Sequence, residues 1–210
     1  PNMTARLHKH APPEYRRALV ESIYRTGASP ALFNDDVIID TLTGNDVALK
    51  DARDYGIVGC VELTSAGRTM GATGALILNL AAVLDLALND GLYTPSGTRI
   101  GPSTGKLGDF ETYDEFYAAF KRQLEAMVAL AVDCDSRFAK AHADLYPSPL
   151  LSALIEGTAE SGRDVTRGGA KYNSSGVGVV GLADVADSLS ALNMSCSAKV
   201  WPPPQSFQPR

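Results

Sequence analysis

Cys60 and Glu62, in the stretch DYGIVGCVELTSAG, are the residues whose types and spacing best suit shared chemistry. A single cysteine after an apolar run is by default a small buried hydrophobe. Its neighbours shift that reading. Gly56 and Gly59 permit a tight, exposed loop at a strand end, where reactive groups tend to sit. Glu62 follows two residues on, and in an extended backbone residues i and i+2 project to the same face. A thiol and a carboxylate would then point into one space. A carboxylate held in a dry pocket has a raised pKa and can act as acid or base near neutral pH.

Other candidates carry less. The cysteines are Cys60, Cys134 and Cys196, an odd count with no CxxC pair or Cys/His cluster. That disfavours a disulfide framework and a zinc site, and it fits a reducing cytoplasm. Cys134 lies on an amphipathic stripe and is expected in the core, and no metal spacing links His8, His10 and His142. Gly176, Gly178 and Gly181 spell G-x-G-x-x-G before an apparent helix, the dinucleotide-binding fingerprint. The preceding residues 171–175 are polar rather than a clean strand, so a nucleotide-binding oxidoreductase stays a minor alternative. GPSTGKL is one residue short for a phosphate loop and has Leu107 where Ser or Thr should bind magnesium. Arg167, Lys171 and Asn173, in TRGGAKYN, could line a substrate cavity or pair structurally within a glycine-rich turn.

Composition sets the frame. The 210 residues are 45% hydrophobic and 20% charged, as in an ordinary globular protein. A net charge of -5 with scattered Lys and Arg leaves no footprint for nucleic acid. The N-terminus lacks the apolar core of a signal peptide. The most apolar run, residues 75–88, is shorter than the ~20 residues of a membrane span and carries Asn79 and Asp85. It is expected to be a buried helix, and no membrane association is expected.

Several elements must position these groups. Pro13 and Gly27 bracket a helix, and ALFND after Pro30 is extended. NDDVIIDTL and NDVALKDARD start at Asn/Asp caps. Residues 55–61 read as a strand buried on both faces, and residues 63–74 as a loop leading into the apolar helix closed by Gly91. Residues 93–108 read as a surface loop. Phe116, Phe120, Leu124, Met127, Ala131, Cys134, Phe138, Ala141 and Leu145 form one stripe of a long helix that ends before Pro147. A short helical piece, a glycine-rich stretch and a final helix ADVADSLSAL follow.

Two stretches, DYGIVGCVEL and DVTRGGAKYNSSGVGVVGLADVADSL, resemble the glycyl radical enzyme family, the pyruvate formate-lyase-like superfamily. The resemblance runs to about Leu192, so residues 1–192 read as a partial catalytic domain and residues 193–210 as an irregular, disordered tail. It implies an α/β fold, part of a barrel in which parallel half-barrels enclose the cysteine loop. It also implies that Cys60 becomes a thiyl that abstracts a substrate hydrogen while Glu62 moves a proton to assist elimination. The cofactor implied is a protein glycyl radical outside this chain, installed by an S-adenosylmethionine-dependent iron–sulfur activase. Partners implied are that radical SAM activating enzyme, a small-molecule substrate and a second copy in a full-length homodimer. No glycyl radical motif of the RVxGY type occurs among these residues, so the isolated chain is expected to be inert.

Gly59 stands where pyruvate formate-lyase itself has a second cysteine, which disfavours acyl transfer through a cysteine pair. Diol dehydratases and choline lyases of the family carry a Trp-His-Asp cluster where Ala72, Thr73 and Gly74 fall here. A small wall containing Thr73 suits a substrate anchored by its far end, and the resemblance then favours C–S cleavage of isethionate. Dehydration of a diol, C–N cleavage of choline and an inert remnant are the alternatives.

Overall fold

The structure is a computed structural model that describes residues 3–197. The chain divides into two units, with boundaries after Gly71, Leu145 and Ser174. Its class is α/β.

The first unit opens with β1 (Thr4–Leu7), α1 (Pro13–Thr26) and β2 (Ala31–Asn34). The two strands pair in parallel, Thr4 against Ala31 and Leu7 against Asn34, a pairing that needs the crossover α1 supplies. Pro13 starts that helix where no N–H is missed, and the N–H of left-handed Gly27 donates to the Ile23 carbonyl to close it. In α2 (Asp35–Gly44) the Asn34 side chain accepts from the Asp36 N–H, the expected cap. The next helix, α3 (Leu49–Arg53), departs from expectation: it starts after Ala48 without a side-chain cap, not at Asn45 or Asp46.

The largest corrections fall beside the candidate pair. Residues 55–61 are not a strand buried on both faces. β3 (Tyr55–Val58) and β4 (Glu62–Ser65) form an antiparallel hairpin, and Val58 and Val61 are 45% and 61% exposed. Residues 63–74, expected as loop, form β4 and the start of β5 (Thr69–Asn79). The expected helix over residues 75–88 splits at Asn79, and only α4 (Leu80–Leu88) is helical. The Asn79 carboxamide accepts from the Ala81 N–H, so the polar residue inside the apolar run is a helix cap.

Within the expected loop, β6 (Leu92–Tyr93) and β7 (Thr98–Arg99) make a short hairpin. The long helix α5 (Tyr113–Leu145) is present as read. After it come α6 (Pro149–Ser152), α7 (Thr158–Ser161), β8 (Tyr172–Val180) and α8 (Leu182–Ser197). The last helix runs past the expected boundary at 192, so residues 193–197 are helical rather than irregular. The remainder of the expected tail lies outside the described residues.

Strands pair two by two, β1 with β2, β3 with β4, β5 with β8 and β6 with β7, and the described residues form no closed barrel. In the second unit the core joins three helices: Leu80, Val83, Leu84 and Ala87 of α4, Phe116 and Phe120 of α5, and Val185 and Leu192 of α8. No helix among the described residues is long and apolar enough to cross a membrane.

Candidate active site

The candidate pair sits at the apex of the β3–β4 hairpin. Val58 pairs with Glu62, leaving Gly59, Cys60 and Val61 as a three-residue turn. Gly59 takes the left-handed conformation, with a φ of +63°. Cys60 is a free, exposed thiol. The turn is not extended, so the i, i+2 geometry expected from the sequence does not apply. Instead the glutamate side chain folds back over the turn. Its Oε2 accepts from the Cys60 N–H at 2.7 Å and from the Val61 N–H at 2.9 Å.

This geometry reverses the expected electrostatics. The backbone N–H groups of Val61, of Glu62 itself and of Cys60 stabilise the anion and hold the Glu62 carboxyl below its ordinary range. The side chain is half-buried, and a raised pKa would require a drier pocket than the described residues provide. As it stands, Glu62 is held in its ionised form, and the N–H groups that hold it make it a weaker base than a free glutamate.

Two polar networks pin the base of the hairpin, where Tyr55 pairs with Ser65. On one side Arg6 grips Asp35 through two contacts of 2.9 and 3.0 Å, and Tyr55 donates to the same carboxylate at 2.5 Å. The Arg6 guanidinium also lies 3.9 Å from the Tyr55 ring centroid and donates to the Tyr55 carbonyl at 3.0 Å. Burial, reinforced by the Asp35 carboxylate, pushes the Tyr55 phenol up to about 12. On the other side Ser65 donates to the Asp51 carbonyl at 3.0 Å. The buried Asp51 carboxylate receives Tyr172 at 2.8 Å, Lys171 at 2.9 Å and Arg68 at 3.4 Å, while Arg68 also reaches Glu156 and Asp54.

Sequence reasoning missed most of this support. Arg6, Asp35, Asp51 and Arg68 stand far apart in the chain, in segments without a motif. The one legible hint was the position of Tyr55 at the start of an apolar run.

The remaining candidates resolve unequally. Lys171 and Asn173 are structural: Lys171 pairs with Asp51 and Glu156, and the Asn173 side chain donates to the Ala170 carbonyl at 2.7 Å. Gly169 is held by crowding, since a Cβ there would lie 2.1 Å from the Arg163 carbonyl oxygen. Arg167 is exposed and borders a cavity with Pro147, Gly162, Arg163 and Asp164. Cys60, Glu62 and Arg167 belong to the first unit and Thr73, half-buried on β5, to the second. Cys134 is only partly buried, rather than a core residue. Gly176 and Gly178 lie inside β8 rather than in a loop after it. Gly176 sits there because β5 is close: a Cβ would come within 3.2 Å of the Thr73 Cα. A dinucleotide fingerprint needs those glycines at a strand-to-helix turn, so the pattern here is strand packing.

Three buried or half-buried aspartates make the fold acid-sensitive. Asp51 is held low by Lys171 and then Tyr172, Asp90 by the Gly105 N–H, Ser103 and Arg99, and Asp164 by the Thr166 hydroxyl and N–H. Each carboxyl therefore binds its proton in the unfolded chain, at about pH 3.9, before it does so in the folded one. Their stabilisation is complete above about pH 5 and is lost progressively as pH falls below about 4, toward the lower folded-state values. Denaturant midpoints are expected to be level from about pH 7 to 5 and to drop steeply below about 4. An unchanged midpoint at about pH 3 would contradict this account.

Known proteins share this fold. The family model described as pyruvate formate lyase-like matches residues 1–201. The chain is 35% identical over 192 residues to (2S)-3-sulfopropanediol dehydratase of Klebsiella oxytoca, covering 91% of this chain and 23% of that protein. It is 29% identical over 155 residues to isethionate sulfite-lyase of Oleidesulfovibrio alaskensis, covering 73% and 19%. Among solved structures, the glycerol-bound B12-independent glycerol dehydratase of Clostridium butyricum superposes with a TM-score of 0.83 at 35% identity, covering 93% of this chain and 25% of that one. The chain thus spans about a quarter of the length of these relatives.

Proposed function

The chain belongs to the pyruvate formate lyase-like family of glycyl radical enzymes, and from that premise we propose that it carries the hydrogen-transfer and proton-transfer residues of a radical lyase. One observation carries the reading. A free, exposed Cys60 stands at a turn apex with the Glu62 carboxylate folded against its own N–H. A thiol that exchanges hydrogen atoms with two partners in turn must be accessible, and Cys60 is.

The chemistry supplied from outside these residues is the removal of a hydrogen atom from the Cys60 thiol, by a protein glycyl radical that an S-adenosylmethionine-dependent iron–sulfur activase installs. Cys60 then takes a hydrogen atom from the substrate carbon bearing a hydroxyl. Glu62 accepts the hydroxyl proton, and the bond from the neighbouring carbon to the leaving group (sulfite, or hydroxide in a dehydration) breaks as the carbonyl forms. The leaving group departs with the electron pair, and Glu62 then gives up its proton to the leaving group or to water. Cys60 returns its hydrogen atom to the resulting product radical, so the thiyl is restored and atoms balance. Glu62 begins this sequence ionised, and accepting the proton requires it to loosen its hydrogen bonds to the turn, which hold its basicity down. In this reading Thr73 and Arg167 contribute to substrate binding, and the full-length enzyme works as a homodimer.

The substrate class proposed is a short hydroxylated alkyl sulfonate, with isethionate and C–S cleavage as the first reading. The small residues Ala72, Thr73 and Gly74 support a substrate held by its anionic end. A second reading, C–O cleavage, is favoured by the higher identity and wider coverage of the sulfopropanediol dehydratase match. Full-length enzyme with its activase, given isethionate and (2S)-3-sulfopropanediol separately, tests both. Sulfite release from isethionate supports the first reading. Dehydration of the diol without sulfite supports the second, and turnover of neither rejects the sulfonate class.

A further inference from the structure

Glu62 Oε2 is the oxygen that accepts the N–H groups of Cys60 and Val61. The same oxygen occupies the place of a missing side chain: a Cβ on Gly59 would lie 2.5 Å from it, with the Glu62 Cδ at 3.1 Å and Oε1 at 3.3 Å. Real Cβ atoms do not approach an oxygen so closely. Something must move, and the carboxylate is the free end of a flexible side chain whereas the turn is backbone. A residue other than glycine at 59 therefore displaces the carboxylate and breaks both of its bonds to the turn.

We infer that Gly59 is a positioning residue for Glu62, present because the carboxylate that clamps the Cys60 turn fills the space a side chain would need. The contrast with neighbouring glycines supports this. Gly56 and Gly67 have nothing within 4 Å of a built Cβ, although Gly67 shares the left-handed conformation with a φ of +72°. Conformation alone thus does not distinguish Gly59, but its crowding by one carboxylate does. For the chemistry, and here the inference rests on the function proposed above, a side chain at 59 and a carboxylate seated on the Cys60 turn exclude one another. The turn is committed to a thiol paired with a carboxylate and cannot also present a second reactive side chain beside Cys60.

The test follows the Glu62 carboxyl by carbon-13 NMR in the full 210-residue chain as pH is lowered. In the parent chain the midpoint is expected below the ordinary glutamate value of about 4.3, with the Cys60 and Val61 amide signals titrating alongside. In Gly59→Ala the midpoint returns to the ordinary range and those amides lose their titration. Gly67→Ala, which carries the conformational strain without the crowding, leaves both unchanged. A Gly59→Ala chain that keeps the depressed midpoint and the amide titration would overturn the inference. If Gly59→Ala does not fold, Gly59→Ala with Glu62→Ala is compared with Glu62→Ala alone. Recovery of folding supports crowding by the carboxylate, and continued failure to fold overturns it. None of these readouts depends on turnover, so a full-length enzyme without lyase activity would leave the positioning role of Gly59 standing.

Discussion

Full-length enzyme carrying Cys60→Ser is expected to lose turnover by at least about 10,000-fold, equivalent to roughly 5.4 kcal/mol of added barrier. Serine matches the size and polarity of cysteine, but its O–H bond holds hydrogen far more firmly than S–H. Hydrogen-atom transfer from the substrate is then still possible in principle, while the step that must first generate the oxygen radical becomes steeply uphill. The fold has no reason to change. The turn is held through the Cys60 backbone N–H and the Glu62 carboxylate, not through the thiol. Cys60 is also exposed, so no packed volume is altered. The measurement pairs product formation with the denaturation midpoint. Turnover within tenfold of the parent, with an unchanged midpoint, would remove Cys60 from the reaction.

A loss of different character is expected at Phe116. Its side chain is 0% exposed, at the centre of the cluster joining α4, α5 and α8. It also meets Phe110 edge-on with ring centroids 5.9 Å apart. Truncation to alanine removes the contacts and leaves a cavity that the helices close only in part, a cost of about 3–5 kcal/mol. That is a large share of a typical domain's stability of about 5–15 kcal/mol. Denaturant unfolding of the 210-residue chain is expected to show a correspondingly earlier transition. Phe138→Ala is the comparison, since Phe138 lies on the same helical stripe yet is 61% exposed. A similar loss at both positions would mean that burial in this structure does not govern the helix's contribution.

The same two phenylalanines mark the limit of what local sequence encodes. The apolar repeat of α5 identified a long helix correctly because 3.6-residue periodicity is local and survives in any tertiary context. It could not say which part of the stripe is packed. Phe116 and Phe120 meet α4 and α8, whereas Phe138 and Leu145 are exposed. The same limit explains the misread run over residues 75–88. A short apolar segment is compatible with a strand or a helix, and Asn79 served as a cap between one of each.

The hairpin around Cys60 is the case closest to function. The residue types in GCVE, and with them the family, were legible from the sequence, because a short run of specific residue types is local information. Their relation in space was not. An extended backbone was expected to aim both side chains one way, whereas a left-handed Gly59 closes a turn and the carboxylate returns to the amides at its apex. The anchors of that hairpin, Arg6 with Asp35 and Lys171 with Asp51, come from residues 29 and 120 positions apart. Contacts of that separation are set by how the chain closes on itself, and no local pattern encodes them. What the sequence by itself determined was the family and the presence of a thiol at Cys60 and a carboxylate at Glu62 within one short stretch. Only the folded structure decided that Glu62 is held as an anion over the turn, because pairing Val58 with Glu62 closes the hairpin and brings the Cys60 and Val61 N–H groups to one carboxylate oxygen.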